Sequence, residues 1–103
     1  MSLPPLTPEE RAAALEKAAR ARKERAEVKD RLKHGTTTLP DVLRYAAGDE
    51  VLARMKVSSL LEALPGVGKV RAAQAMERLG ISESRRVRGL GASQRAALLD
   101  WAG

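Results

Sequence analysis

Apolar positions are sparse in the first third of this chain and dense in the rest. Residues 9–34 contain neither glycine nor proline and alternate alanine with charged side chains. At a helical spacing, Ala14, Ala21, Val28 and Leu32 fall on one narrow side. Thr7-Pro8-Glu9-Glu10 supplies a capping residue, a proline for the first helical position and a glutamate placed to close a capping box, so a helix starts at Pro8. Gly35, after His34, is its stop. So thin an apolar side predicts a helix that packs only near its C-terminal end and projects at its N-terminal end.

Beyond the Thr36-Thr37-Thr38 linker the pattern changes. Thr38 as cap and Asp41 in the first turn predict a short helix over about 39–47, ended by Gly48. A brief turn over 49–53 follows, and Met55-Lys56-Val57 leads into a helix ending at Leu64, with Ser59 and Glu62 spaced for a second capping box. Val42, Leu43, Val51, Leu52, Met55, Val57, Leu60, Leu61 and Leu64 read as core. The next helix spans 69–79, with Val70, Ala73 and Met76 inward and Gly80 as its stop; a short helical turn at 84–87 and a last helix over 92–101 complete the chain. No alternating run is long enough for a strand. The expected fold is all-α: a long N-terminal helix (1–35) ahead of a compact helical domain (36–103).

The connection between two of those helices is unusual. In Leu64-Pro65-Gly66-Val67-Gly68-Lys69, two glycines flank one aliphatic residue. The chain can then turn tightly, with Val67 plugging the gap between helices while peptide N–H groups face outward at the start of the next helix. Such an end binds anionic oxygen, and Lys69 and Arg71 add full charges beside it. The pattern resembles the helix-hairpin-helix motif of DNA-binding proteins that ignore sequence, with Leu64, Gly66, Val67, Gly68 and Ala72 matching. Arg88-Gly89-Leu90-Gly91 repeats the core of the motif 23 residues later. Leu90 is expected in the core rather than between base pairs.

Charge sharpens the picture. Of a net +6, residues 17–33 carry +5 and residues 69–95 carry +5, while residues 35–68 carry −1. Two basic blocks are the footprint of a polyanion. On the long helix, Glu16–Arg20, Arg20–Glu24, Lys23–Glu27 and Glu27–Arg31 are spaced to pair, whereas Arg22, Arg25 and Lys29 have no acidic residue three or four positions away and Lys33 continues their line. That stripe is a candidate contact for an outside anion. Arg85, Arg86 and Arg88 precede the second glycine pair, and Ser82 and Ser84 offer hydroxyls to phosphate.

Other chemistries find little support. With no cysteine there is no disulfide, thiolate metal site or cysteine nucleophile, and one Trp, one Tyr and no Phe leave no base-stacking platform. His34, the only histidine, reads as a helix cap, and Asp49-Glu50 and Glu9-Glu10 are sequence neighbours that do not converge on one atom. No catalytic residue, metal or cofactor is expected, and with no leader pattern or apolar span in the sequence the expected location is the cytoplasm.

Taken whole, the sequence resembles the actinobacterial integration host factors, small nucleoid-associated proteins. The resemblance runs through Leu3-Pro4-Pro5-Leu6-Thr7-Pro8-Glu9, Arg31-Leu32-Lys33-His34, Met55-Lys56-Val57, the stretch from Leu64 to Arg71, and that from Met76 to Gly91; Val42 to Ala53 departs from the family pattern in detail. It implies a monomeric all-α protein with a helix-two-turns-helix domain behind a long helix, binding and bending duplex DNA with little sequence preference in the nucleoid. The DNA-binding residues expected are Pro65, Gly66, Val67, Gly68, Lys69 and Arg71; Ser82, Ser84, Arg85, Arg86, Arg88, Gly89 and Gly91; and Arg22, Arg25, Lys29 and Lys33 on a separate surface. Two alternatives use the same features: an RNA-binding or ribosome-associated protein, since related domains occur in a small-subunit ribosomal protein, and a module docking an acidic protein such as a DNA topoisomerase.

Overall fold

The computed structural model describes residues 5–102; Leu3 and Pro4 of the N-terminal motif lie outside them. Six helices follow in order: α1 (Pro8–Lys33), α2 (Leu39–Tyr45), α3 (Glu50–Ala53), α4 (Val57–Ala63), α5 (Gly68–Leu79) and α6 (Ala92–Ala102), with a 3-10 turn at Val87–Gly89 before α6. The long helix begins as its sequence dictates: Thr7 Oγ1 accepts from Glu10 N at 3.1 Å, and the Glu10 carboxylate accepts from Thr7 N. At its end His34 caps the helix, its Nδ1 2.9 Å from the Asp30 carbonyl.

A 26-residue helix is about 39 Å long, and half of it stands clear. All its residues up to Arg20 are exposed, including Ala14, whereas Val28 and Leu32 are buried against α3 and α4. The radius of gyration, 15.9 Å, exceeds the roughly 13 Å of a compact chain of this length because of this arm. The core is built from Val42, Leu43, Leu52, Met55, Val57, Leu60, Leu61, Ala72, Met76, Ile81, Val87 and Leu98, so the segment 42–53 contributes to it. Arg95 ties α6 to α2 by donating from Nη2 to the Leu43 carbonyl at 3.1 Å, which makes one cation of the second basic block structural.

Four local expectations fail. Val70 is 72% exposed and Ala73 is also outside, because Ala72, Ala75, Met76 and the half-buried Leu79 form the apolar line of α5 and Val70 lies about 200° around the helix from Ala72. The Ser59–Glu62 capping box does not form. Helix α4 starts three residues earlier than such a box requires, at Val57, where Lys56 offers no side-chain cap. Its start is fixed instead by a distant segment: Val57 N donates to Arg85 O at 3.0 Å and Val87 N to Met55 O at 2.9 Å, an isolated antiparallel bridge. The helical turn expected at 84–87 is this extended bridge followed by the 3-10 turn. Finally, none of the four ion pairs expected on α1 closes. Among the described residues the pairs are His34–Asp30, Arg44–Asp41 and Arg54–Glu50. Exposed pairs at this spacing are worth only a few tenths of a kcal/mol, about 0.2–0.5, so α1 loses little by leaving them open.

Candidate nucleic-acid interface

The Leu64–Gly68 connection carries the most specific geometry. Helix α4 gives way at Leu64, Val67 N returns to the Leu64 carbonyl at 3.1 Å, and α5 begins at Gly68. Gly66 and Gly68 sit at φ +74° and +66°, a left-handed backbone that a side chain at either place would strain, and a Cβ on either would meet nothing within 4 Å. The glycines are therefore required by backbone shape and leave the outer face open. Val67 is half-buried against the core as the plug, and no side chain caps α5. The N–H groups of its first turn meet solvent at the positive end of the helix. Arg71 folds back so that Nη1 donates to Gly66 O at 3.1 Å, which sets its guanidinium beside the turn, and Lys69 is exposed next to it.

Two shallow grooves lead away from this turn. One, of about 690 Å³, brings Pro65 and Gly66 face to face with Lys29 and Lys33 of α1. Half of the α1 stripe thus borders the hairpin instead of forming a separate surface, while Arg22 is simply exposed and Arg25 half-buried. The other, of about 570 Å³, runs along α5 from Lys69 and Val70 to Ile81 and Glu83, where the arginine-rich segment begins.

That segment is folded on itself. Ser82 Oγ lies 3.0 Å from Ser84 Oγ and accepts from Ser84 N at 3.3 Å, and Arg85 N donates to Ser82 O at 2.9 Å. The three arginines differ. Arg85 is half-buried, with Nη1 donating to Gly89 O at 3.0 Å and Nε shielded without a partner. Arg86 donates from Nη1 to Arg54 O at 2.6 Å. Arg88 is exposed. The second glycine pair does not repeat the first in backbone: neither Gly89 nor Gly91 has positive φ, and Gly91 N donates to Gln94 Oε1 at 3.1 Å, as an N-cap residue satisfied from within. Leu90 is half-buried against the core. Arginine side chains and serine hydroxyls surround this turn.

Sequence reasoning missed the basic residues of the middle segment. Arg54 and Lys56 flank the buried Met55 and, with Lys17, Arg20, Arg25, Lys29 and Arg86, border a groove of about 730 Å³ between α1 and the body. The net charge of −1 over residues 35–68 concealed them. Close by, Glu24 of α1 meets Asp49, which caps α3 by accepting from Val51 N at 2.9 Å and Leu52 N at 3.3 Å. A hydrogen bond to Asp49, then desolvation, pushes the Glu24 carboxyl up to about 7. The same bond, opposed by burial and helped by the two backbone N–H groups, holds Asp49 below the usual carboxylate range.

Comparison with known proteins agrees with this architecture. A family model described as an S13-like H2TH domain matches residues 32–101. The chain is similar to Integration host factor of Streptomyces coelicolor, 69% identical over 98 residues, which covers 95% of this chain and 92% of that protein. Integration host factor of Mycobacterium tuberculosis is 64% identical over 100 residues, covering 97% and 95%. The solved structure of sIHF bound to an 8bp palindromic DNA has a TM-score of 0.83 at 64% identity and covers 85% of this chain and 99% of that one.

Proposed function

Because the chain belongs to the integration host factor family and carries its S13-like H2TH domain, we propose that it is a nucleoid-associated architectural protein that binds duplex DNA through backbone phosphates with little sequence preference. The observation that carries this reading is the Gly66–Gly68 turn: two left-handed glycines, an uncapped α5 N-terminus, and Arg71 and Lys69 beside it. A phosphate oxygen there meets oriented N–H donors, a helix dipole and two full charges at once. Nothing in that set reads a base edge.

Lys29 and Lys33 take a neighbouring phosphate across the 690 Å³ groove. On the far side of α5, Ser82, Ser84, Arg85, Arg86 and Arg88 extend the contact, with Arg88 the exposed and unbonded member of the three arginines. Contacts at both ends of α5 favour a duplex curved toward the protein, and Arg22 and Arg25 on the arm reach the same duplex or a second one. The protein acts as a monomer, and an acidic protein partner is secondary to DNA.

The test is affinity for several unrelated duplexes against salt. Similar affinities with one steep slope support phosphate gripping, whereas a strong preference for one sequence overturns it. Structured RNA as competitor decides the remaining alternative: RNA displacing duplex DNA at equal concentration would make the protein an RNA binder.

A further inference from the structure

The 730 Å³ groove between α1 and the body lies apart from the Gly66–Gly68 turn, and although Arg25, Lys29 and Arg86 on its walls also serve the proposed duplex contacts, its chemistry differs from that of the clamp. One wall is α1, with Arg20, Arg25 and Lys29; the other is the bridge region, with Arg54, Lys56 and Arg86. These body residues are held in place by backbone bonds: Lys56 and Arg86 face each other across the antiparallel bridge, and Arg86 is anchored on the Arg54 carbonyl at 2.6 Å. The floor is apolar, made by Ala21, Val51 and Met55. Of the two carboxylates at the rim, Glu50 is spent on Arg54 at 2.5 Å, and Glu24 is turned to Asp49. Arg25 is half-buried among the described residues without an acidic partner.

Cationic walls over an apolar floor do not suit the outside of a duplex, which offers phosphate and sugar but no base face. The volume lies within the range of small-ligand pockets, about 300–1,000 Å³. We infer that this groove binds a free nucleoside polyphosphate, with the base laid on Ala21, Val51 and Met55 and the phosphate chain held between the arginines of α1 and those of the bridge. Guanidinium groups serve both ends of such a ligand, since they clamp phosphates bidentately and stack on aromatic faces. Because α1 forms one wall and also borders the hairpin groove through Lys29, an occupied groove fixes the arm relative to the DNA-binding turn.

Calorimetric titration of the full chain with ATP, adenosine and tripolyphosphate at one ionic strength tests this. ATP is expected to bind at one site at least tenfold more tightly than either fragment. The double variant Arg25→Gln, Arg54→Gln should weaken ATP at least tenfold, and Gly66→Val should leave ATP affinity within twofold while losing duplex binding. If Arg25→Gln, Arg54→Gln melts early, Arg20→Gln with Lys29→Gln on the exposed face of α1 gives the same comparison in a folded chain. Tripolyphosphate binding as tightly as ATP would reduce the groove to a general cationic surface and overturn the inference. So would ATP affinity that ignores the groove variants in a folded chain.

Discussion

Gly68 and Gly80 allow a matched experiment on the clamp. Both lie in left-handed backbone, at φ +66° and +68°, and a Cβ on either meets nothing within 4 Å. They bracket the same helix: Gly68 opens α5 at the hairpin and Gly80 caps its C-terminal end. Replacing either with alanine therefore has the same intrinsic cost, about 1–2 kcal/mol for an L-residue held in that conformation. For a chain of this size that is a fall in Tm of roughly 5–10 °C. DNA affinity should separate them. In Gly68→Ala the new methyl group stands where a phosphate must approach, or the backbone relaxes and turns the first N–H groups of α5 away. Either way a hydrogen bond to a charged acceptor is lost, about 1.5–3 kcal/mol, or ten- to more than a hundredfold in Kd. Gly80→Ala, at the negative end of the helix, should change Kd by about twofold or less. Fluorescence anisotropy with a labelled duplex, read well below both melting temperatures, makes the comparison. Equal losses of affinity in the two variants would mean that the glycines only shape the fold, and the clamp argument would be wrong.

Other expectations follow from individual side chains. Arg88→Gln, at an exposed and unbonded position, should lower the log–log salt slope by about 1 with Tm unchanged, whereas Arg85→Gln should lower both, because Arg85 also holds the Gly89 carbonyl. Lys29→Gln with Lys33→Gln should weaken binding even to short duplexes, and Arg22→Gln should matter only on long ones; equal effects on a short duplex would refute the placement of the stripe beside Gly66. Glutamine at Arg20, Lys23 and Arg31 should leave Tm nearly unchanged, since none of their ion pairs is closed. Glu24, whose carboxyl is raised to about 7 in the folded chain, carries stability that is complete below its ordinary 4.5 and lost as pH rises through 7, on the order of 1 kcal/mol after solvent screening. Asp49, lowered, adds stability that is lost only in more acidic solution. Urea midpoints at pH 5 and pH 8 should therefore fall for the native sequence and stay level for Glu24→Gln, which keeps a donor to Asp49 without titrating.

What could be read from the sequence was what local physics decides. Thr7, Pro8 and Glu10 fix the start of α1, Thr38 that of α2, and the demand for left-handed backbone at Gly66 and Gly68 is itself local, so the hairpin was legible in six residues. What depended on distant partners was not. The start of α4 is set by Arg85, 28 residues away, and not by any cap of its own. Arg85 and Arg88 are indistinguishable in sequence, and only packing makes one a brace and the other a free charge. Val70 looked like core because it is valine, yet the alanines at 72 and 75 face inward and leave it to solvent. The groove between α1 and the bridge joins residues from three parts of the chain, and the pairing of Glu24 with Asp49 arises where α1 meets the start of α3.

The central claim, that backbone N–H groups at the α5 N-terminus take a DNA phosphate, is tested most directly by amide NMR of the full chain titrated with a short duplex. The largest shifts are expected on Gly66, Gly68, Lys69 and Val70, with a second group from Ser84 to Gly89, and they should be the same for duplexes of unrelated sequence. Amides at Gly66–Val70 that stay in place while those of α1 alone move would contradict it.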